Sequence, residues 1–374
     1  MNKKKITFIF VILILALILF SFFRSSSQNT KYSKTSYYLG TVNEVTVFNV
    51  KESKSDKILN ECDSILRYID NKMSTHIPGS DVSKINDNAG KKFVRVSDDT
   101  FFVVKEAIQY SKLSDGYFDI TIGPLSNLWA IGTDKAKVPS DSEIQKLLPL
   151  IDYKNIILDE KNKSIKLTKE NMKIDLGAIA KGYAADKIVA YLKSEDVKKG
   201  LVNLGGNIFT LEDGKNDKPF KIGIQDPTSK NGESIGNIET TNKSVVTSGI
   251  YERFIEKNGK IYHHMLNPFT GYPFENNLSS VTIISDKSIN CDALSTSTFG
   301  LGLEKGMDLI NKIDNVDAIF ITKDKKVYLT KGIKDNFKLT DKSFSIEKLN
   351  KQLSLNNNYI YYRYISMYHI DFTI

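Results

Sequence analysis

The sequence predicts an α+β fold, with mixed and antiparallel sheets against packed helices, preceded by one N-terminal transmembrane helix. Three observations carry this. Strand-like and helix-like stretches mix without regular βαβ alternation. Asn258-Gly259, a strong two-residue hairpin turn, joins two strand-like runs. Ile6–Phe23 is an almost unbroken apolar run, close to the roughly 18 to 20 residues a bilayer-spanning helix needs.

Taken in order, Lys3-Lys4-Lys5 precede the apolar run, which sets the lysines in the cytoplasm and everything after Arg24 outside. An uncleaved anchor over residues 1–24 is the first reading, a cleaved signal peptide the second. Residues 25–38 read as a polar tether. Gly40–Val50 alternates as a strand, and Lys54–Met73 sets Ile58, Cys62, Ile65, Leu66 and Ile69 on one helical face. A short helix follows through Ile85 and Asn86, then a helix over Asp98–Leu113. Ser140 with Glu143 makes a capping box for a helix through Leu148. Strands are expected at Asn155–Leu158, Ile165–Leu167 and Met172–Ile174. A tight turn and a helix through Leu192 come next. Further strands are expected at Leu201–Thr210, Phe220–Gln225, Arg253–Glu256, Lys260–His264 and Val281–Ile284. Helices over Cys291–Phe299 and Glu304–Ile313 and a hairpin of Ala318–Thr322 with Lys326–Leu329 complete the domain, 39–340. The tail, 341–374, is rich in Asn and Tyr, has no clear period and receives no role.

The composition, 41% hydrophobic and 26% charged, is that of a folded chain rather than a disordered one. The net charge of +8 comes from interspersed lysines. Without a basic block beyond the first residues or an aromatic-basic pattern, nucleic acid is not an expected partner. Two isolated cysteines, Cys62 and Cys291, make no disulfide framework and are expected as buried free thiols.

The stretch with most chemical content is Asp175–Asp186, Asp-Leu-Gly-Ala-Ile-Ala-Lys-Gly-Tyr-Ala-Ala-Asp. Its small residues admit close approach of a backbone or a bulky ligand, and Lys181 is its one cation, framed by Asp175 and Asp186. Alone it reads equally as a tightly packed helix. Asp292 and Thr296 stand four apart in a predicted helix, so both oxygens share a face and suit a hard cation such as magnesium. Read plainly, they are a helix cap and a packed threonine. His263 and His264 are adjacent on a strand, so only one can face a given site, and they lack the further ligands zinc needs. Gly116–Leu125 sets Tyr117 and Phe118 beside Asp119, as a stacking surface or as core. Leu204-Gly205-Gly206-Asn207 allows close approach to backbone amides. There is no Walker-type or dinucleotide-fold glycine pattern.

The wording and order of these blocks resemble the ApbE family, the FAD:protein FMN transferases, from about Leu39 to about Thr340. The resemblance rests on Met73-Ser74-Thr75 through Ser80, Gly116–Leu125 with Asn127-Leu128-Trp129, and Asp175–Asp186. It continues in Val202–Asn207, Thr247-Ser248-Gly249 with Tyr251-Glu252-Arg253, His264–Pro273 and Asp292–Thr296. It implies that the FMN half of FAD is transferred to a threonine hydroxyl of an acceptor protein, with AMP released. By the same resemblance Ala178 (main-chain oxygen), Asp292 and Thr296 would hold Mg2+. Leu39, His76, Tyr117, Phe118, Asp119, Asp175, Lys181 and Leu266 would contact FAD. His264 would deprotonate or orient the incoming threonine. The implied acceptor is a membrane electron-transfer or ion-pumping subunit with a Ser/Thr-Gly-Ala-Thr-like site. The chain departs from the family pattern at Leu39, where methionine is usual, at His76, where tyrosine is common, and in its tail. Metal-dependent FAD hydrolysis to FMN and AMP, and a tethered flavin binder without turnover, are the alternative readings.

Overall fold

The computed structural model describes residues 30–212, 218–229 and 232–349. The expected membrane segment, 1–24, and residues 350–374 of the expected tail lie outside the described residues. Among the described residues no helix is long and apolar enough to cross a membrane.

β1 (Lys31–Tyr38) and β2 (Thr41–Phe48) form a hairpin in which Leu39 and Gly40 take left-handed φ of 54° and 68°. From Lys31 on this corrects the tether expected over residues 25–38, of which 25–29 lie outside the described residues. The segment is polar, but it alternates. Its half-buried residues Lys34 and Tyr38 bond Asn60 and Asp63 of α1 (Glu52–Met73), and β2 supplies the ladder. α1 buries Ile58, Cys62, Leu66 and Ile69, as its spacing predicts.

α2 (Asp81–Asp87) is capped by Ser80, β3 (Val94–Arg95) follows, and α3 (Asp98–Leu113) is capped by Ser97. α4 (Gly123–Trp129) ends on left-handed Ala130, and α5 (Asp141–Leu147) begins with the Ser140–Glu143 capping box. β4 (Ile156–Asp159) and β5 (Ser164–Leu167) join β3 in a small sheet. Met172–Ile174 is not the strand expected. It makes one bridge, Lys173 to Ile122, because its neighbours' bonds go to Asn86 and Ile120.

After α6 (Ala180–Ser194) come β6 (Lys199–Leu204) and β7 (Asn207–Glu212), two strands where one was expected over Leu201–Thr210. Gly205 and Gly206, with φ of 60° and 90°, turn the chain back between them. β8 (Phe220–Gln225) was expected. β9 (Ser234–Thr240) and β10 (Lys243–Gly249) were not. β11 (Phe254–Lys257) and β12 (Lys260–His263) form the hairpin around Asn258-Gly259. β13 (Leu278–Ser285) precedes α7 (Ser288–Ile310), whose backbone leaves the helical region at Gly302 (φ 78°, ψ 178°), so a helical segment lies on either side of that break, as the two expected helices require. β14 (Val316–Thr322), β15 (Lys326–Leu329), β16 (Lys338–Leu339) and β17 (Ser345–Glu347) follow. β17 pairs parallel with β15, so the first residues of the expected tail belong to the sheet.

The main sheet has nine strands in the order β1-β2-β6-β7-β10-β13-β14-β15-β17. α7 packs on β10 and β13, α6 on α7, and α1 on α6. Their apolar faces form one large core that includes Ile58, Ile188, Leu294 and Phe299. A second core lies between the sheet and β8–β9, and a third surrounds Trp129. Cys62 and Cys291 are free and buried, as expected.

Candidate active site

The site is built where α6 meets α7. A Cβ on Gly182 would lie 2.4 Å from the Ser288 carbonyl oxygen and 2.7 Å from Ile289 Cα, so only glycine permits this approach. The approach has a consequence for hydrogen bonding. Gly182 N–H, which in a regular helix would donate four residues back to Ala178, donates instead to Asp292 Oδ2 at 2.9 Å. Ala178 C=O is thereby left without a donor among the described residues, on a half-buried turn ahead of the first residue of α6. The requirement that a ligating Ala178 carbonyl stay out of the helix is met by a partner 110 residues away.

Asp292 is buried, and its other oxygen, Oδ1, stands 3.8 Å from Lys181 Nζ. Lys181 also donates to Gly177 C=O at 3.0 Å, and Gly177 N–H donates to Asp175 Oδ1 at 2.9 Å, which fixes the corner. One turn along α7 from Asp292, Thr296 is the only half-buried residue between Cys291 and Gly300. Ser295, Ser297 and Thr298 each bond back to a helix carbonyl, whereas no such bond engages the Thr296 hydroxyl. A carbonyl, a carboxylate and a hydroxyl are thus available on the two elements that meet here. These oxygens fit a hard divalent cation and leave coordination positions for waters and phosphate oxygens. Among the described residues no three His, Cys, Asp or Glu side chains gather as an alternative centre.

Asp186, which the sequence placed beside Lys181, does other work. Its carboxylate accepts the N–H groups of Ser288 and Ile289, at 2.7 and 2.9 Å, and so caps α7. Burial raises its pKa to about 6 against the pull of those two donors.

His264 enters from the end of the β11–β12 hairpin. Its Nδ1 lies 3.3 Å from Arg253 C=O, an acceptor, so Nδ1 carries the proton and Nε2 presents a free lone pair. Burial first, then the Arg253 guanidinium, push its pKa down to about 3, so the ring is neutral. His263 faces the other way, bonded to Phe274 C=O and edge-on to Phe299. Glu252, quoted in a sequence block but given no role there, belongs to the same site. Desolvation raises its carboxyl to about 7, Lys181 and Arg253 draw it down, and Asp292 raises it further. Glu252 is solvent-exposed and His264 half-buried.

The remaining expected residues fall into three places. Leu39 and His76 both lie near Asp70, whose half-buried carboxyl takes the Leu39 backbone N–H and feels the His76 imidazole. Tyr117 packs edge-on against Phe269, but Phe118 is core against Tyr110, and Asp119 is engaged by Thr121 and by the Tyr153 N–H at 2.8 Å. The side chains of Phe118 and Asp119 are therefore taken up inside the protein. Leu266 buries its side chain with Trp129 and Leu125, and its own N–H and C=O point away from the Pro273 strand it bridges. Asp175 N–H to Ile120 C=O, and Asn86 to Ile174, tie these segments to the Lys181 corner.

A sequence model of the ApbE family matches residues 39–320. The FAD:protein FMN transferase of Klebsiella pneumoniae (strain 342) is 35% identical over 320 residues, covering 86% of this chain and 98% of the relative. That of Treponema pallidum is 33% identical, covering 85% and 92%. Among solved structures, the ApbE protein of Thermotoga maritima superposes with a TM-score of 0.75 at 31% identity, covering 82% of this chain and 99% of its own. The flavin transferase ApbE of Vibrio cholerae gives 0.73 at 27%, covering 83% and 100%. The matched span holds the Gly177–Lys181 corner, the Asp292–Thr296 face and His264, and the chain belongs to the ApbE family.

Proposed function

We propose that this protein transfers the FMN half of FAD to a threonine hydroxyl of an acceptor protein, releasing AMP, with Mg2+ on the FAD pyrophosphate. The observation that carries the reading is the diversion of Gly182 N–H to Asp292, which frees the Ala178 carbonyl beside a buried carboxylate and an open hydroxyl. Ala178, Asp292 and Thr296 would hold the metal, whose chemistry there is to draw charge from the pyrophosphate oxygens. Lys181, braced on Gly177 C=O, sets a second positive charge against the same group. His264 accepts the acceptor hydroxyl's hydrogen bond on Nε2 while Nδ1–H holds the ring to Arg253 C=O. Its low pKa makes it an orienting acceptor in the free protein. Pyrophosphate charge close to the ring would raise its basicity for proton transfer. Leu39, His76, Tyr117, Phe118, Asp119, Asp175 and Leu266 would line the FAD, Phe118 and Asp119 through main chain.

The apolar segment before Arg24 would anchor the protein in the cell membrane by a single pass, with the catalytic domain outside the cytoplasm. Its acceptor there would be a membrane electron-transfer subunit with a Ser/Thr-Gly-Ala-Thr-like site. The test is incubation with FAD, Mg2+ and a candidate acceptor, followed by a denaturing gel. Flavin fluorescence that stays with the acceptor supports the proposal. AMP release with no labelled acceptor replaces it with FAD hydrolysis.

A further inference from the structure

Gly300 continues the Asp292–Thr296 stripe by one more turn of α7. A Cβ there would lie 3.1 Å from Tyr117 Cβ and 2.8 Å from Phe274 Cζ, so its absence lets Tyr117 settle against the helix. Tyr117 in turn meets Phe269 edge-on, with centroids 5.2 Å apart and planes at 72°. Phe269 is 55% exposed, yet its loop is tightly braced. Asn267 Oδ1 takes the Phe269 N–H at 2.9 Å, Asn267 C=O takes the Gly271 N–H at 2.8 Å, and Trp129 Nε1 donates to Gly271 C=O at 2.8 Å. Gly116, with φ +82°, makes room for the ring, since a Cβ there would stand 3.2 Å from Phe269 Cζ.

A lone exposed phenyl is ordinary on a mobile surface. One fixed on a braced turn, beside an aromatic wall and at the end of the metal-site stripe, presents a pre-organised flat surface to a planar ligand. From Asp292 to Gly300 the helix rises about 12 Å, at about 1.5 Å per residue. That is the scale of a ribityl chain running from a diphosphate to a ring. We infer that Phe269 is a substrate-positioning residue which, with Tyr117, forms the outer wall of the pocket for the isoalloxazine ring and selects a flavin over other adenine dinucleotides. This rests on the flavin-transfer reading and adds to it the residue that grips the ring.

The experiment compares FAD and ADP binding, by calorimetry with Mg2+, in the full-length detergent-solubilised protein and in its F269A, F269L and F269Y variants. ADP carries the diphosphate without the flavin, so it reads the Lys181–Asp292 corner alone. F269A and F269L should weaken FAD about three- to tenfold, the range for losing one aromatic contact, with ADP unchanged and F269Y restoring wild-type affinity. The visible absorption band of bound FAD should shift less in F269A than in wild type. Unchanged FAD affinity in F269A overturns the inference while leaving the transferase reading intact. Equal losses of FAD and ADP affinity overturn it too, since they make Phe269 a support for the loop only. A wild-type protein that binds neither FAD nor ADP overturns the flavin reading, and this inference with it.

Discussion

Replacing Gly182 with alanine places a methyl carbon 2.4 Å from the Ser288 carbonyl oxygen and 2.7 Å from Ile289 Cα, all of it fixed backbone. Restoring even a tight contact of about 3.2 Å means parting α6 and α7 by about 0.8 Å, and such overpacking costs about 1–3 kcal/mol. The same movement stretches the 2.9 Å bond from Gly182 N–H to Asp292 Oδ2 beyond hydrogen-bond length. A bond to a charged group contributes about 1.5–3 kcal/mol. Alanine returns about 1 kcal/mol of helix propensity. The net is a loss of about 1.5–5 kcal/mol, a fall in melting temperature of roughly 2–8 °C for a domain of this size. Released from Asp292, the N–H of residue 182 can close the regular bond onto Ala178 C=O and remove a donor oxygen from the cation site. Loss of such support typically weakens metal affinity about 10- to 100-fold. Thermal unfolding by circular dichroism and a Mg2+ titration of flavin transfer measure the two effects. A G182A protein with the wild-type melting temperature and Mg2+ dependence would refute the coupling of helix contact to metal site.

Four other outcomes are expected. His264→Ala should abolish transfer and leave FAD affinity nearly unchanged, and wild-type rates in that variant would remove His264 from the mechanism. Because the His264 pKa is lowered to about 3, the neutral ring persists down to that pH. The kcat/KM profile of the free enzyme should therefore show no acid limb near 6.5 from this group, and a limb that appears there and vanishes in H264A would contradict the assignment. Chelation should stop transfer and added Mg2+ restore it in wild type but not in D292N, measured by flavin fluorescence on the acceptor. Asp186→Ala removes both acceptors from the start of α7 and should cost about 1–2 kcal/mol in chemical denaturation, whereas an unchanged midpoint would deny the cap its role.

Local signals were legible where a short stretch carries its own reason. Asp98–Leu113, the Ser140–Glu143 box and the Asn258-Gly259 hairpin all appear as the residues predict. β1 was hidden because its composition is polar, and only its ladder with β2 and its bonds to α1 make it a strand. Gly205-Gly206 reads in the sequence as a place of close approach to backbone amides, and in the fold it is the turn that divides β6 from β7. Asp292 and Thr296 stand one turn apart on a helix, as their spacing predicts. The role of Asp186 was not legible, since it caps a helix some hundred residues away, and the environment of Glu252 depends on Lys181 and Asp292 from two distant helices. What the residues could state was a condition, that Ala178 keep its carbonyl free. How the condition is met is a long-range contact that no local pattern records.

The nine-stranded sheet carries β1 at one edge and β17, the last strand described, at the other. Synthesis therefore delivers the two edge rows of the sheet far apart in time. The corner proposed to bind the cation, split between residues 177–182 and 288–296, cannot close until most of the chain has emerged. Pairings this distant in sequence make for slow folding. A fragment ending before α7 would lack both Asp292 and the floor of the largest core, so a shortened chain should not retain partial activity.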